Sequence, residues 1–196
     1  MGKIKINIPR ILISIIFIFA SIQAYAASCP IKIGGLAPLS APGSVTGGEA
    51  MREAMLLAER DINAKGGVLG CDIDVIITDT EGLPEKAAAM MQKLITQDGV
   101  VAVGGGYHSS VGVASKDVAN SRGIPVVFAE TWNDTITGDM QKYIFRIAPL
   151  SSWASGVIWK FAAQAPGVKS VVIVTENTDY GIPAAKECAE GLSKSG

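Results

Sequence analysis

The residues best suited to chemistry in this chain sit in one run, Gly104-Gly105-Gly106-Tyr107-His108-Ser109-Ser110, which joins a pliable backbone to the single histidine and two adjacent hydroxyls. Three chemistries compete for it. A nucleotide-binding turn needs a third glycine where Ser109 stands, and belongs after the first strand rather than the third. A hydrolytic triad or a metal centre would rest on His108 alone. No Gly-x-Ser-x-Gly elbow surrounds a serine, and no second histidine or cysteine stands at metal-ligand spacing. Neither an enzyme, a cofactor nor a metal is therefore expected, and His108 reads as a loop residue at a cleft rim. Anion recognition remains. Ser109 and Ser110 fall in the N-cap region of the next helix, where hydroxyls and unpaired N–H groups face outward at the positive end of the helix dipole. A carboxylate would be held there; the competing reading is that one serine caps its own helix. Asp79 and Glu81, after the second strand, read as a turn or a solvated edge.

The elements that must position this run alternate between strand and helix. Residues 31–36 form a short apolar strand, followed by a helix in which Ala50, Ala54, Leu57, Ala58 and Ile62 recur at three- and four-residue spacing and are expected to face a sheet. A nearly continuous apolar strand at 73–78 suits a sheet covered on both faces. Pro84 then opens a helix with Ala87, Met91, Leu94 and Ile95 inward and Gly99 at its end. Strands are expected at 100–103, 125–129 and 143–147, with a helix from the serines toward Arg122 and Glu130 and Trp132 just beyond the fourth strand. This rhythm implies an α/β fold, a doubly wound parallel sheet with right-handed crossovers. The cycle then restarts with a helix at 152–165, a buried strand at 170–175, a loop at 178–181 and a last helix. The 48 residues from 149 onward cannot enclose a core of their own. They predict the incomplete start of a second α/β lobe at 149–196, after a first lobe at 27–148, in the front half of a longer protein.

Residues 1–26 have the form of a signal peptide: Lys3, Lys5 and Arg10 without an acid, an apolar run, then Ala24-Tyr25-Ala26 as a small-x-small cleavage site. The competing reading, an uncleaved anchor, needs about 20 unbroken apolar residues, and Ser14, Ser21 and Gln23 interrupt this stretch. Without the leader, the 17 basic residues become 14 against 18 acidic, a formal net charge of −4 that argues against nucleic acid as a partner. The chain has three cysteines. Cys29 and Cys71 each lie two residues ahead of a predicted strand. If those strands are parallel neighbours about 4.8 Å apart, the two thiols fall within disulfide reach. The rival makes Cys29 a lipidated N-terminus, but the preceding run lacks the large aliphatic residue three before the cysteine. Cys188 is left over.

The chain resembles the amino-terminal half of a type I periplasmic binding protein of the leucine/isoleucine/valine-binding family, which serves branched-chain amino acid ABC transporters. The resemblance is carried by Ile33-Gly34-Gly35-Leu36-Ala37-Pro38-Leu39-Ser40, by Ala58-Glu59-Arg60-Asp61-Ile62-Asn63-Ala64-Lys65-Gly66-Gly67-Val68, and by Asp79-Thr80-Glu81. Ser109-Ser110, Phe145-Arg146-Ile147-Ala148 and Asp179-Tyr180-Gly181 continue it. It implies two lobes joined by hinge strands, the first crossing at 148–150, that close on a small ligand handed to a membrane permease. It also implies a ligand α-carboxylate on Ser109 with Ser110 beside it, Glu130 and Trp132 around the carboxylate and ammonium, and Tyr180 closing from the second lobe. The implied ligand is a branched-chain amino acid or a related small amino acid, amide or carboxylate, and the implied location is periplasmic or extracellular. Leucine binders of the family carry small or hydroxyl residues where Glu130 and Trp132 stand, which puts leucine itself in doubt. Glu130 would suit an ammonium or amide, and Trp132 an apolar or planar group. An extracellular ligand-binding domain of a sensor or receptor is the alternative, since type I lobes also serve as receptor ectodomains.

Overall fold

The structure is a computed structural model and describes residues 29–195. The expected leader at 1–26 lies outside the described residues. Five parallel strands form one sheet in the order β2-β1-β3-β4-β5: β1 (Ile31–Ala37), β2 (Ile73–Asp79), β3 (Ala102–Gly105), β4 (Val126–Phe128) and β5 (Ile144–Arg146). The intervening helices are α1 (Val45–Ala64), α2 (Pro84–Lys93), α3 (Ser109–Ser121) and a short α4 (Thr135–Gly138), and α5 (Ser151–Gln164) and α6 (Gly181–Lys194) follow. Two glycines show that the sheet is covered on both faces. A Cβ on Gly34 would meet Leu94 and Val103, whereas one on the adjacent Gly35 would meet Met55 of α1. The main core lies on the Gly34 side, where Leu36, Met91, Leu94, Val111, Val126, Phe128 and Ile136 are buried together.

The expected inner face of α1 is corrected by the structure. Ala50, Ala54 and Ala58 are exposed, Leu57 is 51% exposed, and only Ile62 of that set is partly covered. The face turned to the sheet carries Met55, Glu59 and Asn63 instead. The reason is that β2 is an edge strand, whose outward backbone groups need partners. Asn63 supplies two: its Nδ2 donates to Ile73 O at 2.9 Å and its Oδ1 accepts from Ile73 N at 2.8 Å. Glu59 Oε1 accepts from Val75 N at 3.2 Å. Hydrophobic spacing cannot register a helix face selected for hydrogen-bonding a strand edge.

Two further differences concern strands. β3 begins two residues later than expected and includes Gly104 and Gly105, which pair with Gly35 and Leu36 of β1. Val100 is spent on leaving the preceding helix: Leu94–Asp98 form a π-helical turn, Gly99 ends it at φ 72°, and Val100 N donates to Leu94 O. Residues 170–175 are not a strand. They run without a ladder, and Val172 and Val174 are 87% and 90% exposed. The run has strand composition, but no neighbouring strand among the described residues offers it hydrogen bonds.

The register of the first pair decides the cysteines. Ile31 lies opposite Ile73 and Ala37 opposite Asp79. Cys29 and Cys71 therefore meet as expected, with Cα atoms 5.2 Å apart in a disulfide that spans 42 residues. Cys188 is buried and free, with Sγ 3.7 Å from Ser155 O. Closing a loop of this length restricts the unfolded chain by about 3 to 4 kcal/mol. Replacing both Cys29 and Cys71 with serine is expected to lower unfolding stability by about 2 to 4 kcal/mol in a denaturant titration. The oxidised, unfolded parent protein should titrate a single thiol, and three thiols would contradict the pairing.

Candidate functional site

All five strands point their carboxyl ends the same way, so the loops that follow them gather on one rim. The second crossover returns past β1, which leaves β1 between β2 and β3 and creates the position where crossovers part to opposite faces. Asp79, at the end of β2, fastens this rim. Its carboxylate accepts hydrogen bonds from Leu39 N at 2.8 Å, Ser40 Oγ at 2.5 Å and Glu81 N at 2.9 Å. Lys86 lies nearby and pairs with Glu81 at 2.5 Å. Asp79 and Glu81 are thus loop fasteners, in line with the turn expected there.

The glycine run turns the chain sharply. Gly105 and Gly106 have φ values of 100° and 78°. A Cβ on Gly106 would come within 2.8 Å of the Phe128 ring, so glycine is required for both backbone shape and room. His108 then occupies the N-cap position, and Ser109 and Ser110 are the first two residues of α3. Neither serine caps its own helix, and the N–H groups of this first turn have no intrahelical acceptor. Ser109 is 3% exposed, and its Oγ accepts from both Trp132 N and Asn133 N at 3.1 Å. Two accepted bonds leave its hydroxyl hydrogen as the group able to donate.

Across the rim, the loop after β4 presents Glu130 and Trp132, locked to each other by a hydrogen bond from Trp132 Nε1 to Glu130 Oε2 at 3.1 Å. Tyr180, from the loop before α6, meets Trp132 edge-on, with ring centroids 6.3 Å apart and planes at 88°. In the same loop Glu176 accepts from Thr178 Oγ1 at 2.6 Å. His108 Nε2 accepts a long bond from Ser44 N at 3.4 Å, while its Nδ1 is buried without a partner. Burial lowers the imidazole pKa, and Glu176 only partly opposes that shift. His108 is therefore neutral at neutral pH, and the Ser44 bond assigns its hydrogen to Nδ1.

These groups enclose a cleft of about 450 Å³, and Ser109, Ser110, Glu130, Trp132 and Tyr180 all line it. His108 stands at its wall, as expected. Sequence reasoning missed Ser44, Gly82, Tyr107, Glu176 and Thr178, which also line it. Glu176 carried a usable signal, because a residue directly after an apolar run of strand composition is expected at a rim, although 170–175 forms no strand. Ser44 and Gly82 carried none; Gly82 is there because a Cβ would strike the His108 ring at 2.8 Å. The loop after β4 also joins the sheet to the segment beyond 149. Ser151 N donates to Trp132 O at 2.8 Å, Asn133 Nδ2 donates to Asp179 O, and Asp134 Oδ1 accepts from Ser151 Oγ at 3.0 Å and Ser152 N at 3.2 Å. No group of three or more His, Cys, Asp or Glu is placed to hold a metal among the described residues.

The periplasmic binding protein model matches residues 30–196. The chain belongs to the periplasmic binding protein family. Its fold is the type I arrangement, a doubly wound parallel sheet, and two further helices, α5 and α6, follow it among the described residues. Among curated relatives, the "Leucine-, isoleucine-, valine-, threonine-, and alanine-binding protein" of Pseudomonas aeruginosa is 28% identical over 178 residues, 91% of this chain and 47% of that protein. Among solved structures, the branched-chain amino acid transporter substrate binding protein LivJ of Streptococcus pneumoniae in complex with isoleucine has a TM-score of 0.73 at 31% identity, covering 84% of this chain and 46% of that one. A solute binding protein of R. palustris in complex with benzoate has a TM-score of 0.69 at 28% identity, covering 84% and 44%. The chain thus spans about half the length of the curated relatives it matches.

The rim fasteners give the fold a pH dependence. Burial raises the Asp79 carboxyl pKa, but the bonds from Ser40, Glu81 N and Leu39 N, with Lys86 nearby, outweigh it and hold the group below the usual aspartate value of 3.8. A depressed folded-state pKa stabilises the fold fully above the unfolded value, and that stabilisation is lost as pH falls through the folded one. Asp79→Asn is expected to cost about 1 to 3 kcal/mol at pH 7. The stabilities of variant and parent should converge in urea titrations as pH falls below the usual aspartate value; a constant gap down to low pH would contradict the assignment.

Proposed function

We propose that this protein is the exported solute-binding component of an ABC importer, taking a branched-chain amino acid or a related small amino acid, amide or carboxylate. The observation that carries this reading is the cleft itself. The free N–H groups at the start of α3 and the hydroxyls of Ser109 and Ser110 face Tyr180 and Thr178, which come from the segment beyond 149. Such an arrangement suits a small anion on one side and a closing aromatic on the other. The ligand carboxylate is placed at Ser109 and Ser110, where the helix dipole and unpaired amides favour it without any metal or buried cation. Glu130 and Trp132 meet the rest of the ligand, and Tyr180 closes over it.

In this reading residues 27–148 form the first lobe, 149–196 begin the second, and the crossing between them is the first hinge strand. Ligand binding draws the lobes together, and a membrane permease recognises the closed form. The leader at 1–26 directs export, and membership of a periplasmic binding protein family supports a location outside the cytoplasmic membrane. The ligands named for the Pseudomonas, Streptococcus and Rhodopseudomonas relatives are branched-chain amino acids and other small carboxylates, which supports the ligand class.

Calorimetric titration of the full-length protein with amino acids and small aromatic carboxylates tests the reading. At least one is expected to bind, and Ser110→Ala should weaken it by about 1.5 to 3 kcal/mol, the range for a hydrogen bond to a charged group. Ser109→Ala should weaken it similarly and also lower the melting temperature, because Ser109 Oγ holds Trp132 N and Asn133 N. Unchanged affinity in both variants would remove the carboxylate from this helix end.

A further inference from the structure

Among the described residues, the charges that line the cleft do not balance for a neutral amino acid. Glu130 and Glu176 both line it, and no described lysine or arginine does. Among the described residues neither acid takes part in an ion pair. His108, the remaining candidate cation, has its pKa lowered by burial and does not offset them. An ordinary α-amino acid brings one carboxylate, matched by the α3 terminus, and one ammonium, which matches one acid. The second acid finds no counter-charge among the described residues, and an unpaired charge taken out of water as the cleft closes is costly.

We propose that the cleft selects an α-amino acid carrying a second, cationic nitrogen in its side chain, with Glu130 meeting the α-ammonium and Glu176 the side-chain cation. The inference rests on reading the cleft as an amino-acid site. The aromatic residues support it independently of the charge count. Trp132 and Tyr180 stand at 88° to each other, forming a two-walled corner 6.3 Å across between ring centroids. Aromatic faces attract ammonium and guanidinium groups through the ring quadrupole. The hydrogen bond from Trp132 Nε1 to Glu130, and that from Thr178 Oγ1 to Glu176, hold both carboxylates beside this corner. An aliphatic side chain would gain the apolar contact but bring no cation to Glu176.

The test compares lysine with norleucine, its uncharged analogue of equal chain length, and adds arginine and leucine, all titrated calorimetrically into the full-length protein. Lysine or arginine is expected to bind about tenfold or more tightly than norleucine, the range of a desolvated cation–π contact joined to an ion pair. Glu176→Gln should shrink the lysine-to-norleucine ratio at least several-fold, about the loss of one charge-assisted hydrogen bond. Glu130→Gln should weaken all four probes together. The ranking in the unaltered protein needs no variant to fold. Norleucine or leucine binding as tightly as lysine would overturn the cationic assignment and leave the amino-acid reading standing. Binding of none of the four, with benzoate or another small carboxylate bound instead, would overturn both.

Discussion

The cleft depends on how closely β3 passes between its neighbours at the point where it turns. A Cβ on Gly105 would lie 2.5 Å from Leu36 O and 2.7 Å from Met55, and one on Gly106 would lie 2.8 Å from Phe128. Both residues also adopt positive φ, which L side chains tolerate poorly. This approach lets the chain leave the sheet and enter α3 within three residues. The unpaired N–H groups of the first turn of α3 therefore open onto the rim rather than over the sheet. A longer or bulkier turn would move the helix start away from the loops after β1, β2 and β4, and no set of side chains elsewhere would restore the site.

Ser109 extends that constraint to the rest of the molecule. By accepting from Trp132 N and Asn133 N, its oxygen fixes the loop after β4 against α3. The same loop reaches the segment beyond 149 through Trp132 O, Asn133 and Asp134. Arg146 reinforces it from β5 by donating to Asn133 O at 3.0 Å. One loop thus carries a wall of the cleft and the attachment of the following helix. The α3 end of the cleft is thereby tied to the junction through short hydrogen bonds, which do not stretch far before they break.

How much was legible in the sequence follows from which groups do the work. The parallel α/β alternation, the Cys29–Cys71 pairing and the inward face of α2 were legible because apolar runs, strand spacing and the Pro84 and Gly99 signals all report burial or backbone shape. The rim position of Ser109, Ser110, Glu130 and Trp132 was legible because loops after parallel strands share one edge, whereas Tyr180 reaches the cleft without a strand before it. The inward face of α1 was not, because Glu59 and Asn63 face the sheet to satisfy a strand edge, and polar residues do not mark a buried stripe. The run at 170–175 shows a different limit. Its composition is that of a strand, yet a strand exists only as one of a hydrogen-bonded pair, and composition says nothing of the partner. Gly82 was invisible for a third reason: its role is to leave space for His108, a residue 26 positions away in sequence.

In the proposed reading, the division of the cleft between two segments determines which residues control closure. A ligand shifts a conformational equilibrium only by its difference in affinity for the two states. Ser109, Ser110, Glu130 and Trp132 sit on or beside the sheet and can hold a ligand equally well whether or not the lobes are drawn together. Their contacts set the affinity of the open form and move nothing. Glu176, Thr178 and Tyr180 come from the loop before α6, so their contacts with a ligand held at α3 are the ones that closure adds. Moving the balance from mostly open to mostly closed needs a differential of about 5 kcal/mol. An aromatic contact from Tyr180 contributes roughly 1 kcal/mol, so other contacts are needed, and a charged partner at Glu176 is one of them. The acid that apolar patterning passed over therefore bears on closure as much as on ligand choice.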